Sequence, residues 1–151
     1  YGGVGLFSLI ISDQVQKVWL IEENPASLKL AKHNFETNQI HNFEIISQRM
    51  ETAILNWQVS SDAQPTVAMV DPPRKGLRKD VSNFLSRQTC LNDLLYLSCN
   101  PTSLIEDLKV FLEQGWEVQT IIPFDFFPRT RHLEVFVWLR PCHKKSSTLK
   151  N

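Results

Sequence analysis

The sequence predicts an α/β fold: a mostly parallel, doubly wound sheet closed by an antiparallel last strand. Three observations carry this. Short apolar runs alternate with stretches of helical spacing from Lys17 to Gln114. A glycine turn, Tyr1-Gly2-Gly3-Val4-Gly5, stands where such sheets make their first strand-to-helix connection. The last two apolar runs, Glu117–Phe124 and Leu133–Leu139, follow each other with no helix between them, which favours an antiparallel pair.

Lys17–Ile21 reads as a strand, and Pro25–Asn38 as a helix with Pro25 in its first turn and Leu28, Ala31 and Phe35 on one face. Phe43–Ser47 is a second strand and Glu51–Trp57 a weak helix. Thr66–Val70 is an apolar strand that delivers Asp71, and Val81–Arg87 is helical. Leu94–Ser98 is a buried strand. Thr102–Gln114 is a helix carrying Leu104, Leu108, Phe111 and Leu112, with Gly115 as its stop. His143–Asn151 is a polar, frayed tail, the tail region being taken as 141–151 beyond a domain over 1–140. The glycine turn has no strand before it, so the first, central strand is expected to be missing from this chain. The sheet edges so exposed predict marginal stability for the chain alone.

The 151 residues suffice for one domain with a real core. Sixteen basic residues balance sixteen acidic ones, so no global basic signature marks a nucleic-acid partner. Local clusters do: Arg74, Lys75, Arg78 and Lys79, and then Arg129, Arg131 and His132. Each reads either as solvated surface or as a phosphate contact beside a reactive segment. Cys90, Cys99 and Cys142 show neither metal-ligand spacing nor a disulfide framework, which suits a reducing cytosol. No apolar run approaches the roughly 20 residues that span a bilayer.

Three segments carry chemistry. Leu97-Ser98-Cys99-Asn100-Pro101 puts a thiol where a strand ends and a helix begins, a position where the helix dipole favours the reactive thiolate. A lone cysteine is otherwise a buried structural one, the reading kept for Cys90 and Cys142. Phe127-Pro128-Arg129-Thr130-Arg131-His132-Leu133-Glu134 puts a carboxylate where the last strand begins. A nucleophile and a base at sheet ends suggest covalent catalysis. Asp71-Pro72-Pro73-Arg74-Lys75-Gly76 sets a third group at a carboxyl edge, its prolines stiffening the loop. Gly3 and Gly5 permit tight turns and close ligand approach, and Glu22 ends the next strand, where an acid accepts from ribose hydroxyls. The bland readings are a plain turn and a solvated charge, with Glu23 as a rival to Glu22.

Together these segments, from Tyr1 to about Arg140, resemble the RNA (uracil-5)-methyltransferase family. The resemblance implies a Rossmann-like class I methyltransferase fold, S-adenosylmethionine as cofactor, and transfer of a methyl group to carbon 5 of a uridine in tRNA or rRNA. It implies Cys99 as the nucleophile that adds to carbon 6 and Glu134 as the base that removes the proton from carbon 5. It implies Tyr1, Gly3, Gly5, Leu6, Glu22 and Asp71 as cofactor-binding positions, and no metal. The chain departs from the family at Gly2, normally cysteine; at Leu6, often asparagine; at Arg49, where this fold often places Asp or Asn near the adenine; at Ser103, usually threonine; and at Arg129, commonly Gln, His or Tyr. His132 either orients Glu134 or contacts RNA. Full-length relatives add an N-terminal RNA-binding barrel and a central domain, and some add an iron–sulfur cluster.

Two other readings stand beside this one. The chain is a non-enzymatic cofactor- or RNA-binding fragment of such a protein, or it is a nicotinamide-dependent dehydrogenase. The dehydrogenase reading rests only on the glycine loop and Glu22.

Overall fold

Among the residues that the computed structural model describes (1–56, 66–130 and 132–142), helices and strands alternate. They run α1 (Leu6–Ile11), β1 (Val18–Glu22), α2 (Pro25–Thr37), β2 (Phe43–Ser47), α3 (Met50–Ala53), β3 (Thr66–Val70), α4 (Lys79–Ser86), β4 (Leu91–Ser98), α5 (Pro101–Glu113), β5 (Trp116–Phe124) and β6 (Glu134–Pro141). Trp57 at the end of one expected helix, Arg131 and the expected frayed tail over His143–Asn151 lie outside the described residues. The chain divides into two units, Tyr1–Ser60 and Ser61–Asn151.

In the first unit β1 and β2 pair in parallel, Val18 opposite Phe43 through Glu22 opposite Ser47. A parallel pair needs a crossover, and α2 supplies it. Asn24 caps α2 by accepting from the N–H groups of Ala26 and Ser27, with Pro25 at the first helical position. The expected stripe is the buried one: Ala31 and Phe35 are fully buried with Leu20, and Leu28, Phe43 and Ile45 pack around them. Phe35 stacks on Phe43 at 4.3 Å between ring centroids. The short helix α1 adds an element that the sequence reading lacked, and the weak helix expected over Glu51–Trp57 is a single turn at Met50–Ala53.

In the second unit the strand order is β3-β4-β6-β5. β3 and β4 are parallel, while β6 runs antiparallel to both β4 and β5. This is the Rossmann-like ending expected from the sequence: two strand runs joined without a helix. Leu94, Tyr96, Val137 and Leu139 alternate onto one fully buried face, joined by Val81 of α4 and Phe111 of α5. Phe111 meets Trp116 edge to face at 5.7 Å, and the Trp116 indole N–H donates to the Ser86 carbonyl. Two local expectations change. β4 starts at Leu91 rather than Leu94 because Asp93, polar by sequence, is held in the sheet by the Trp138 indole and the Arg140 guanidinium. On α5 the inward residues are Leu104, Asp107 and Phe111, while Leu112 is exposed.

Candidate active site

The glycine turn folds back on β1. The Gly2 N–H donates to the Ile21 carbonyl, and the Gly5 N–H to the Gly2 carbonyl, before α1 starts at Leu6. Gly3 and Gly5 have φ of 54° and 80°, in the left-handed region that glycine adopts without strain. A Cβ at Gly2 would sit 2.6 Å from the branch carbon of buried Leu20. A family cysteine in this place would therefore collide with Leu20, and the departure at Gly2 matches that packing. Around Gly3 nothing lies within 4 Å of an added Cβ, so its backbone is open to a ligand.

Glu22 closes β1 and collects this backbone. Its Oε2 accepts from the Gly3 N–H at 2.9 Å, and its Oε1 from the Glu23 and Asn24 N–H groups at 2.9 and 2.8 Å. Partial burial pushes the carboxyl up, but the N–H groups of Asn24, Gly3 and Glu23 outweigh it and hold Glu22 below the ordinary glutamate range. Oε2 carries one donor against two on Oε1, so it is the oxygen with room for a hydroxyl. The rival Glu23 is engaged elsewhere, its carboxylate accepting from Arg49 at 2.7 Å. Tyr1 is half-buried at the loop's start, and Leu6 is 57% exposed at the first position of α1.

The second unit gathers Cys99, Glu134 and Asp71 at one edge of its sheet. The β4–β6 ladder ends at Ser98 opposite Val135. The next position on one strand is Cys99 and on the other Glu134. Val135 faces the buried side, so the alternation of β6 turns Glu134 to the opposite face, while Cys99 lies in the bend just past the end of β4. Cys99 and Glu134 are both half-buried, and Glu134 also pairs with Phe124 of β5. Asp71 follows β3 at the same edge, where Val70 pairs with Tyr96 of β4.

The corner that presents Cys99 is tightly bonded. The Asn100 N–H donates to Ser98 Oγ, and Asn100 caps α5 by accepting from the Thr102 N–H, with Pro101 at the first helical position. Asn100 Nδ2 donates to the Arg74 carbonyl at 2.8 Å, tying the cysteine corner to the loop after Asp71. That loop turns at Pro73–Gly76, where the Gly76 N–H donates to the Pro73 carbonyl. The next N–H, of Leu77, donates to buried Asp107 Oδ2, which also accepts from the Tyr96 hydroxyl. Burial pushes the Asp107 carboxyl above its ordinary range in spite of both bonds. Gly76 has φ of 76°, and a side chain there would run into Asp107 and Ser103.

His132 sits between the two segments. Its Nδ1 lies 3.5 Å from an Arg74 guanidinium nitrogen, and its N–H donates to Thr130 Oγ1. No bond from His132 to Glu134 is present. Among the other expected groups, Cys90 is half-buried and Cys142 exposed, so neither is the buried structural cysteine expected. Asp107 was missed by the sequence reading, although it fills the place between Leu104 and Phe111 on the inward stripe of α5. Among the described residues no helix is long and apolar enough to cross a membrane.

Known proteins resemble this chain. The sequence profile of the tRNA (Uracil-5-)-methyltransferase family matches residues 1–142. An uncharacterized RNA methyltransferase of Streptococcus agalactiae is 36% identical over 134 residues, covering 89% of this chain and 29% of the relative. One from Clostridium acetobutylicum is 35% identical over 144 residues, covering 95% of this chain and 31% of the relative. The chain thus spans about three tenths of the length of these relatives. Among solved structures, an rRNA methylase from Streptococcus thermophilus aligns with a TM-score of 0.68 at 13% identity, covering 93% of this chain and 82% of that one. A putative methyltransferase from Streptococcus mutans in complex with SAH aligns with a TM-score of 0.66 at 14% identity, covering 94% and 85%. At such identities the structures speak for the fold.

Proposed function

We propose that this chain, which belongs to the tRNA (uracil-5-)-methyltransferase family, is the catalytic domain, over residues 1–140, of a cytoplasmic enzyme that methylates carbon 5 of a uridine in tRNA or rRNA. The observation that supports this most is the shared step of Cys99 and Glu134, one position beyond the Ser98–Val135 pair on neighbouring strands. A nucleophile and a base at one sheet edge can both reach one pyrimidine ring.

The residues of the first unit fit S-adenosylmethionine. The open backbone at Gly3 suits close approach, Glu22 Oε2 suits a ribose hydroxyl, and Tyr1, Gly5 and Leu6 complete the loop. When bound, this cofactor supplies an electrophilic methyl group to carbon 5.

The chain's own residues do the rest. Cys99 adds as thiolate to carbon 6 of the uracil, and the electron pair of the 5,6 double bond moves toward carbon 5 and the 4-oxygen. Carbon 5, now nucleophilic, takes the methyl group. The Glu134 carboxylate then accepts the proton from carbon 5, the double bond re-forms, and the thiolate leaves. Asn100 holds the cysteine corner through the Arg74 carbonyl, and the Arg74 guanidinium, beside His132, offers positive charge to the RNA backbone at the same edge. Arg49, paired with Glu23, has no assigned part in adenine recognition.

Calorimetric titration with S-adenosylhomocysteine tests the cofactor half of this reading. Binding by the wild type that is lost in Glu22→Ala, with the fold intact, is the expected result. A folded wild type that binds none favours the non-enzymatic reading.

A further inference from the structure

We infer that Phe126, backed by Phe124, is a stacking platform for an unpaired base of the RNA beside the target uridine; this rests on the function proposed above. Phe126 is 62% exposed, a large apolar surface for a soluble face. Its ring lies parallel to that of Phe124, 5.3 Å between centroids with 5° between planes, so the two rings form a short stack at the surface. Phe124 is the β5 partner of Glu134. The stack therefore begins beside the residue assigned as base, at the sheet edge where a target uridine would sit.

The rim of the patch favours nucleic acid over an apolar protein face. Phe127, 51% exposed, meets the His132 ring edge-on at 6.2 Å, and His132 Nδ1 lies 3.5 Å from the Arg74 guanidinium. Arg129 stands exposed on the turn between them, and Asp125 is the carboxylate of this loop. Aromatic surface with cations around it matches the two parts of a nucleotide: a flat base that stacks on any ring, and a phosphate that pairs with Arg. Stacking is tolerant of base identity, so the platform grips single-stranded RNA next to the target without reading its sequence.

The test uses single-stranded RNA oligonucleotides carrying 2-aminopurine next to 5-fluorouridine, with S-adenosylmethionine present to supply the methyl group to carbon 5, where the fluorine then blocks release of the thiolate. Wild-type protein is expected to quench the 2-aminopurine on binding. Phe126→Ala should lose the quench and bind about tenfold more weakly. Phe126→Leu should behave like Phe126→Ala, and Phe126→Trp like wild type. Equal thermal midpoints would be read alongside to establish that all variants are folded. Wild-type quench and affinity in both Phe126→Ala and Phe126→Leu overturn the platform. Wild-type behaviour in Phe126→Leu alone also overturns it, because an apolar protein contact then suffices. Covalent capture of the 5-fluorouridine by Cys99, read on the same samples, separates the two proposals. A Phe126-dependent quench without capture keeps the platform and removes the methyl-transfer reading; capture with a quench indifferent to Phe126 does the reverse.

Discussion

Asp107 connects the loop after β3 to β4 through a single atom. Its Oδ2 serves both the Leu77 N–H, just past the loop that follows Asp71, and the Tyr96 hydroxyl on β4. Asp107→Ala removes that shared acceptor and should cost about 2–3 kcal/mol, seen as a lowered urea midpoint. Asp107→Asn keeps an oxygen there and should cost far less. The sign with pH follows from the burial that raises this carboxyl. A raised native value means that Asp107 contributes stability fully below its ordinary range and loses it as pH rises through the native value. Asp107→Asn should flatten that fall, and a wild-type stability curve identical to the variant's from pH 3 to 8 would contradict it. At Gly2 the added carbon of Gly2→Ala meets Leu20, so about 1–3 kcal/mol of destabilisation is expected, relieved by pairing it with Leu20→Ala. The placement of Cys99 just after β4 and of Glu134 at the start of β6 was legible in the sequence because an apolar run ends at one and begins at the other. Asp107 was not, since an acid on a helix reads as a solvent-facing residue until its partners, from distant strands and loops, are known.

Single elements were legible wherever local chemistry sets them. Asn24-Pro25 and Asn100-Pro101 open α2 and α5, and Gly115, at φ 80°, stops the second of these. α1 was hidden because Leu6–Ile11 is a short apolar run without periodicity, and the start of β4 because Asp93 needs Trp138 and Arg140 to be tolerated in a sheet. The turn before β6 shows what a sequence motif leaves out. Thr130 N–H donates to the Phe127 carbonyl, with Pro128 first and Arg129 second in the turn, and Arg129 has φ of 68°. Proline followed by a positive φ is a type II turn, where glycine is the unstrained choice. Arg129→Gly should therefore hold or raise stability, by up to about 1 kcal/mol, while weakening RNA binding. A variant that is destabilised by calorimetry, or that binds RNA as tightly as wild type, would contradict the strained turn and its charge role respectively. The Glu22 clamp on the glycine loop makes an acid-side prediction. Three N–H groups, outweighing burial, lower its carboxyl, so its stabilising share is present above the ordinary glutamate range and lost as pH falls through the native value. Glu22→Gln should lose that share at neutral pH and show a shallower acid limb in fluorescence-monitored unfolding; an unchanged acid limb would contradict it.

At the scale of the molecule, the sequence order of the motifs maps onto two kinds of site. The first unit presents open glycine backbone and a clamped carboxylate, and the second presents a thiol and a carboxylate at one edge of a sheet. The alternation of strands and helices made the α/β class legible, and the bare junction between β5 and β6 made the antiparallel ending legible. The neighbouring position of Cys99 and Glu134 was not legible in the same way, because it depends on the β4–β6 register rather than on either motif. The proposed role of this pair is covalent catalysis on uridine. Mass spectrometry of the protein incubated with S-adenosylmethionine and tRNA or rRNA transcripts containing 5-fluorouridine tests it most directly. The expected result is an RNA adduct on the peptide bearing Cys99, absent in Cys99→Ala, and an adduct with ordinary uridine that accumulates in Glu134→Gln. An adduct on Cys90 or Cys142, or methylated RNA from Cys99→Ala, would contradict it.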